Sequence, residues 1–86
     1  MTDDWESSFS DLEKEVIEYL VRNPGMSHQD IADELDVSRG TVNKAVARVK
    51  EKTRTSFATL LESPYTEEIG EELDEESRDR LSSYLQ

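Results

Sequence analysis

The sequence contains no cysteine, which excludes disulfides and thiolate-held metals. A single histidine and three scattered glycines leave no metal-ligand spacing and no glycine-rich phosphate loop. The many carboxylates are spaced as on a solvated surface rather than as a catalytic pair. No cofactor, no metal and no enzymatic activity are therefore expected. No apolar run approaches the ~18 residues that a membrane span needs. The acidic first residues also lack the basic start of a signal peptide, so a cytoplasmic protein without membrane contact is expected. Bases are scarce as well, 10 against 21 acids, and a formal charge of −11 should repel a polyanion.

What is present is concentrated in residues 27–54, SHQDIADELDVSRGTVNKAVARVKEKTR. Ile31, Ala32, Leu35, Val37, Val42, Ala45, Val46 and Val49 recur as two short helices sharing one apolar corner would place them. The step from Leu35 to Val42 is not helical, and Asp36-Val37-Ser38 lies in that break. Ser38 is suited to cap a second helix, its hydroxyl accepting from the backbone near Thr41. Ser27 caps the first in the same way, with Asp30 an acidic near-match to a capping box. Upstream, Ser10 and Glu13 form an S-x-x-E box, and Leu12, Val16, Ile17, Leu20 and Val21 make an amphipathic stripe that Asn23-Pro24-Gly25 terminates. Met26 is placed to pack onto Ile31 as a staple at the start of the next helix.

The pattern I-A-x-x-L-x-V-S-R-x-T-V-x-K-A-V resembles the helix-turn-helix of DNA-binding transcription regulators, over about residues 12–52. The resemblance implies an all-α, tri-helical core and a recognition helix over residues 38–53 seated in the major groove of double-stranded DNA. It further implies base contacts from Ser38, Arg39, Asn43 and Lys44, and phosphate contacts from Ser27, His28, Gln29, Thr41, Arg48, Lys50, Lys52 and Arg54. Asp36 stands where a turn glycine is common. Gly40 sits in the first turn of the recognition helix, at a cost of roughly 1 kcal/mol against alanine if treated as interior. Two readings of Gly40 stay open: close approach of its backbone to DNA, with Ala47 doing the same, or an unconstrained exposed position.

Charge distribution qualifies the acidic total. Residues 1–38 carry eleven acids and two bases, residues 55–86 nine acids and two bases, and residues 39–54 six bases with only Glu51 opposing them. Arg39, Lys44, Arg48, Lys50, Lys52 and Arg54 thus give a local +5 on the recognition helix. With Val42, Val46 and Val49 inward, Arg39, Asn43 and Lys44 turn outward. The acidic remainder, with only four lysines among its bases, resembles small regulators of salt-in haloarchaea. In such cells the Debye length is about 3 Å at 1 M salt, which silences the repulsion along with much of the phosphate attraction. Affinity would then rest on base-edge hydrogen bonds and shape, with a shallow or inverted salt slope.

The remainder reads as three parts of one domain: an arm over residues 1–9, the tri-helical core over residues 10–54, and an acidic extension over residues 55–86. Trp5 and Phe9 stand four apart, to be packed on the body or buried between subunits. Residues 53–61 have some β-branched character, but no second strand and no hairpin turn follow, so no β-wing is expected. A helix through Phe57, Leu60 and Leu61, either separate from the recognition helix or continuous with it, is preferred. A Pro64 break follows it, with Ser63 capping a further helix. Residues 65–86 are poor in apolar groups and rich in charge, which is the composition of disorder. Ile69, Leu73, Leu81, Tyr84 and Leu85 nevertheless share a helical face, favouring one helix, or two split near Asp74, used for homodimerisation. I-x-x-E-L-D occurs at residues 31–36 and again at 69–74, an echo treated as coincidence unless the two copies adopt one structure.

Two functions compete: a sequence-specific double-stranded DNA-binding regulator, and an acidic protein-interaction module or nucleic-acid mimic that keeps the helix-turn-helix as scaffold.

Overall fold

A computed structural model describes residues 9–85 of the chain. Five helices follow in order: α1 (Asp11–Arg22), α2 (His28–Leu35), α3 (Arg39–Glu62), α4 (Thr66–Gly70) and α5 (Glu75–Tyr84). The described residues contain no strand, as expected of an all-α fold without a wing. The expectation for Trp5 lies outside the described residues.

Each helix of the core starts where its cap stands. Ser10 Oγ accepts from the Glu13 N–H at 3.2 Å, and Glu13 Oε1 accepts in return from the Ser10 N–H at 3.2 Å. That reciprocal box satisfies two of the donors left orphaned at the start of α1. Ser27 Oγ accepts from the Asp30 N–H at 3.1 Å to open α2, and Ser38 Oγ from the Thr41 N–H at 3.1 Å to open α3.

The elbow between α2 and α3 is made by Asp36, among the described residues the one non-glycine of positive φ, at φ 56° and ψ 46°. Its N–H donates to Asp33 O at 3.4 Å while that of Val37 reaches back to Ala32 O at 3.0 Å, the bond pair of a Schellman ending. Val37 then packs on the core that holds Ala32. An L-residue in this region is usually strained, and aspartate is among the few that tolerate it.

The first of two compact units ends at Thr55. Its core is small: Val16 from α1, Ile31 and Ala32 from α2, and Val42 and Ala45 from α3 are buried. Leu12, Tyr19, Leu20, Met26, Leu35, Val37 and Val46 ring it. Ile17 and Val49, expected members, are half-buried and outside this set, and a third is exposed. Val21 is 73% exposed, because at about 100° per residue it falls well off the face that Leu12, Val16 and Leu20 define, and Tyr19 takes the flank instead.

The second unit begins at Ser56, within the continuous α3. Ser63 does not cap the next helix as expected. Its hydroxyl accepts from the Tyr65 N–H, two residues on, at 3.1 Å, which tightens a turn at Pro64-Tyr65. The side chain of Thr66 donates to the carbonyls of Leu60 and Ser63, and α4 starts there with no side-chain cap. Asp74 then caps α5, its carboxylate accepting from the Ser77 N–H at 2.6 Å, so the split near Asp74 is present. No residue of this unit is buried, and Leu61, Tyr65, Tyr84 and Leu85 are well exposed.

The sequence echo is not a structural repeat. Asp36 ends a helix in the left-handed region, whereas Asp74 begins one from extended backbone at φ −68° and ψ 164°.

Candidate nucleic-acid interface

Burial of Val42 and Ala45 fixes which side of α3 faces out. Arg39, Gly40, Asn43, Lys44, Ala47, Arg48, Lys50 and Arg54 are all exposed. At about 100° per residue, Gly40 and Ala47 form the outermost strip, with Arg39, Asn43, Lys50 and Arg54 along one flank and Lys44 and Arg48 along the other. The helix therefore presents a low ridge between two rows of donors. A Cβ added at Gly40 would meet only Ser38 Oγ, at 3.8 Å, and Gly40 does not have a positive φ, so nothing inside the fold requires glycine there.

Other expected contact residues divide by what already holds them. Ser38 is exposed, but its hydroxyl is engaged as the α3 cap and lies 2.8 Å from Thr41 Oγ1. Thr41 is half-buried in the same turn. Ser27 is the α2 cap, and Gln29 donates its amide to Asp33 Oδ1 at 3.0 Å. His28, half-buried, has Nδ1 2.7 Å from Asn43 Oδ1. This bond joins the first turn of α2 to the exposed side of α3.

Lys52 is placed apart from the other bases. Its ammonium donates to Glu13 Oε1 at 2.6 Å and stands 5.5 Å from the centroid of the Phe9 ring. Among the described residues Glu13 is the one buried charged side chain, at 3% exposure. The Lys52 ammonium, chiefly, holds its carboxyl below the ordinary value of 4.5; burial opposes that, and the Ser10 N–H assists. One carboxylate thus closes the capping box of α1 and anchors α3 from the side opposite the ridge. Both charges were visible as members of apolar stripes, Glu13 beside Leu12 and Val16, Lys52 three residues after Val49. Assigning Glu13 to the capping box alone and Lys52 to phosphate contact missed the pair.

The sequence profile of winged helix-turn-helix DNA-binding domains matches residues 9–52. The chain belongs to the winged helix-turn-helix DNA-binding family. The family segment runs from Phe9 to Lys52, the two residues that close the Glu13 anchor, and includes the elbow and the exposed ridge. Beyond it the described chain continues as helix, where the family name would suggest a wing. No curated protein and no solved structure matches the chain. Among the described residues, no group of acidic or histidine side chains is arranged to hold a metal ion, and no helix is long and apolar enough to cross a membrane.

Proposed function

We propose that the protein is a sequence-specific transcriptional regulator that lays the first half of α3 in the major groove of double-stranded DNA. The observation that carries this is the exposure of Arg39, Asn43 and Lys44 together beside Gly40 and Ala47, on a helix held from behind by Val42 and Ala45. Arg39, Asn43 and Lys44 read base edges, with Ser38 at the ridge's start. Ser27, Gln29, Thr41, Arg48, Lys50 and Arg54 hold phosphates. Lys52 serves the fold through Glu13, and His28 is turned toward Asn43. Arg39 is the strongest single reader, since a guanidinium bonds two acceptors of guanine at once.

The acidic body supports the halophilic reading, in which screening by salt removes the repulsion between −11 charges and DNA. Binding then persists into molar potassium chloride, inside a cytoplasm of that composition. The exposed Phe57, Leu60, Leu61 and Ile69 of the second unit supply apolar surface for a homodimer, whose half-sites would lie about 34 Å apart or a multiple of that.

The test is selection of bound genomic fragments followed by titration of one selected duplex and one random duplex. Arg39→Ala should cost about 1–3 kcal/mol on the selected duplex and relax preference at one base pair. Equal loss on selected and random DNA would count against groove reading. Steep loss of specific affinity above 0.5 M salt would end the halophilic part of the proposal.

A further inference from the structure

The bond between His28 and Asn43 sits at the ridge but is not itself a contact to DNA. A carbonyl oxygen only accepts, so at 2.7 Å from Asn43 Oδ1 the proton of the bond is carried by His28 Nδ1. In the neutral ring that leaves Nε2 without a hydrogen, an acceptor with nothing to offer a phosphate. The same bond gives the Asn43 amide a fixed sense. An unheld asparagine offers both an acceptor and a donor, and pairs with adenine through N6 and N7. With one of the two lone-pair sites of Oδ1 taken and the amide plane fixed by the imidazole, the wholly free end of the amide is its NH2 group, which only donates.

The geometry points to His28 as a positioning residue that determines base specificity: it converts Asn43 into a donor and directs it to an acceptor-bearing edge, guanine N7 and O6 or thymine O4. This inference rests on the DNA-binding reading above. It reassigns the phosphate contact expected of His28 and narrows what Asn43 can recognise. Cytosine, which presents N4–H2 in the major groove, meets donor against donor; the N6 amine of adenine finds Oδ1 already shared with the imidazole and turned toward it.

The experiment locates the base pair whose preference Asn43→Ala abolishes, then measures affinity for duplexes carrying each of the four bases there. The wild type should favour guanine or thymine over adenine and cytosine by about fivefold or more. His28→Leu, which frees both ends of the Asn43 amide, should raise adenine to at least the affinity of guanine and thymine, and His28→Gln, whose amide can still donate, should restore the order. Asn43→Asp keeps an acceptor for His28 but has no NH2 group, so it should shift preference toward cytosine; it tests the inference even if His28→Leu fails to fold. Arg39→Ala, acting at a different base pair, is the control.

Equal weakening of all four duplexes by His28→Leu would overturn the inference in favour of a backbone contact, with the DNA-binding reading intact. An unchanged order in His28→Leu, or a wild type that prefers adenine at that position, would overturn it as well. A wild type that binds no duplex selectively would bring down the reading and the inference together.

Discussion

Lys52 separates two kinds of positive charge on α3, and its removal can be read quantitatively. A lysine that touches a phosphate releases counterions, contributing about 0.9 to the slope of log affinity against log salt. Over a fourfold change in salt, one such contact is worth about 3.5-fold in affinity. The Lys52 ammonium is instead 2.6 Å from Glu13 Oε1, over the Phe9 ring. Lys52→Met should therefore leave the slope within about 0.2 of wild type, whereas Arg54→Met should lower its magnitude by nearly the full 0.9. The cost of Lys52→Met should appear as a lower melting temperature, since it strands a carboxylate that is 3% exposed.

Anisotropy titrations in any fourfold range of potassium chloride that keeps the protein folded, paired with thermal melts, make this comparison. Glu13→Gln should lower the melting temperature too, and the double variant should lose less than the two singles together, as expected of residues in contact. The acid limb gives a further reading. The folded value of Glu13 is depressed, so its stabilisation is present above the unfolded carboxylate range and is lost as pH falls through the folded value. Wild type should lose stability more steeply than Glu13→Gln below the ordinary value of 4.5. A Lys52→Met protein that melts like wild type and has a salt slope shallowed as far as that of Arg54→Met would refute the anchor.

Gly40→Ala removes a first-turn glycine where a methyl group meets only Ser38 Oγ at 3.8 Å, so stability should rise, by at most about 1 kcal/mol, while affinity for selected DNA falls. Urea melts and titration check the opposite signs; a rise in both would favour the unconstrained reading of Gly40. Asp36→Gly should stabilise by roughly 1 kcal/mol and Asp36→Ala destabilise by a similar amount, because the residue sits at φ 56°. Equal melting of the two variants would exclude strain at the elbow. Val42→Ala deletes two methyl equivalents at a site with no exposure and should cost about 2–3 kcal/mol, transfer and cavity together, a large part of the stability of so small a core. A urea midpoint unchanged within error would show that Val42 is not packed as described.

The helix starts were legible because capping is local chemistry. Ser10, Ser27 and Ser38 each lie three residues before the N–H they accept from, a span readable in any sequence; Asp74, expected only as the place of a split, caps at the same spacing. Ser63 failed for a reason of the same scale. Its hydroxyl accepts from the N–H two residues on, at Tyr65, rather than from one three residues on, so the turn won over the cap. The position of Val21 was harder, since a stripe drawn over ten residues drifts by the mismatch between the assumed steps and the true turn of the helix. What decided it was Tyr19, whose ring packs on the core although its sequence position looked peripheral.

The site was legible only where exposure decides the role. Arg39, Asn43 and Lys44 are outward because Val42 and Ala45 are inward, a deduction that needs nothing beyond helical period. The pairs that qualify the site span long separations, 39 residues from Glu13 to Lys52 and 15 from His28 to Asn43, and no periodicity reports them. Each changes the meaning of a charge or donor already counted. With Lys52 committed to Glu13, the outward charge of residues 39–54 comes from Arg39, Lys44, Arg48, Lys50 and Arg54 against Glu51, less than composition suggests. On the DNA-binding reading proposed above, recognition by so modest a charge within so acidic a chain has to draw its selectivity from the orientation of donors. That orientation is what the long-range contacts supply: one carboxylate sets the seat of α3, and one imidazole sets the sense of the amide it presents.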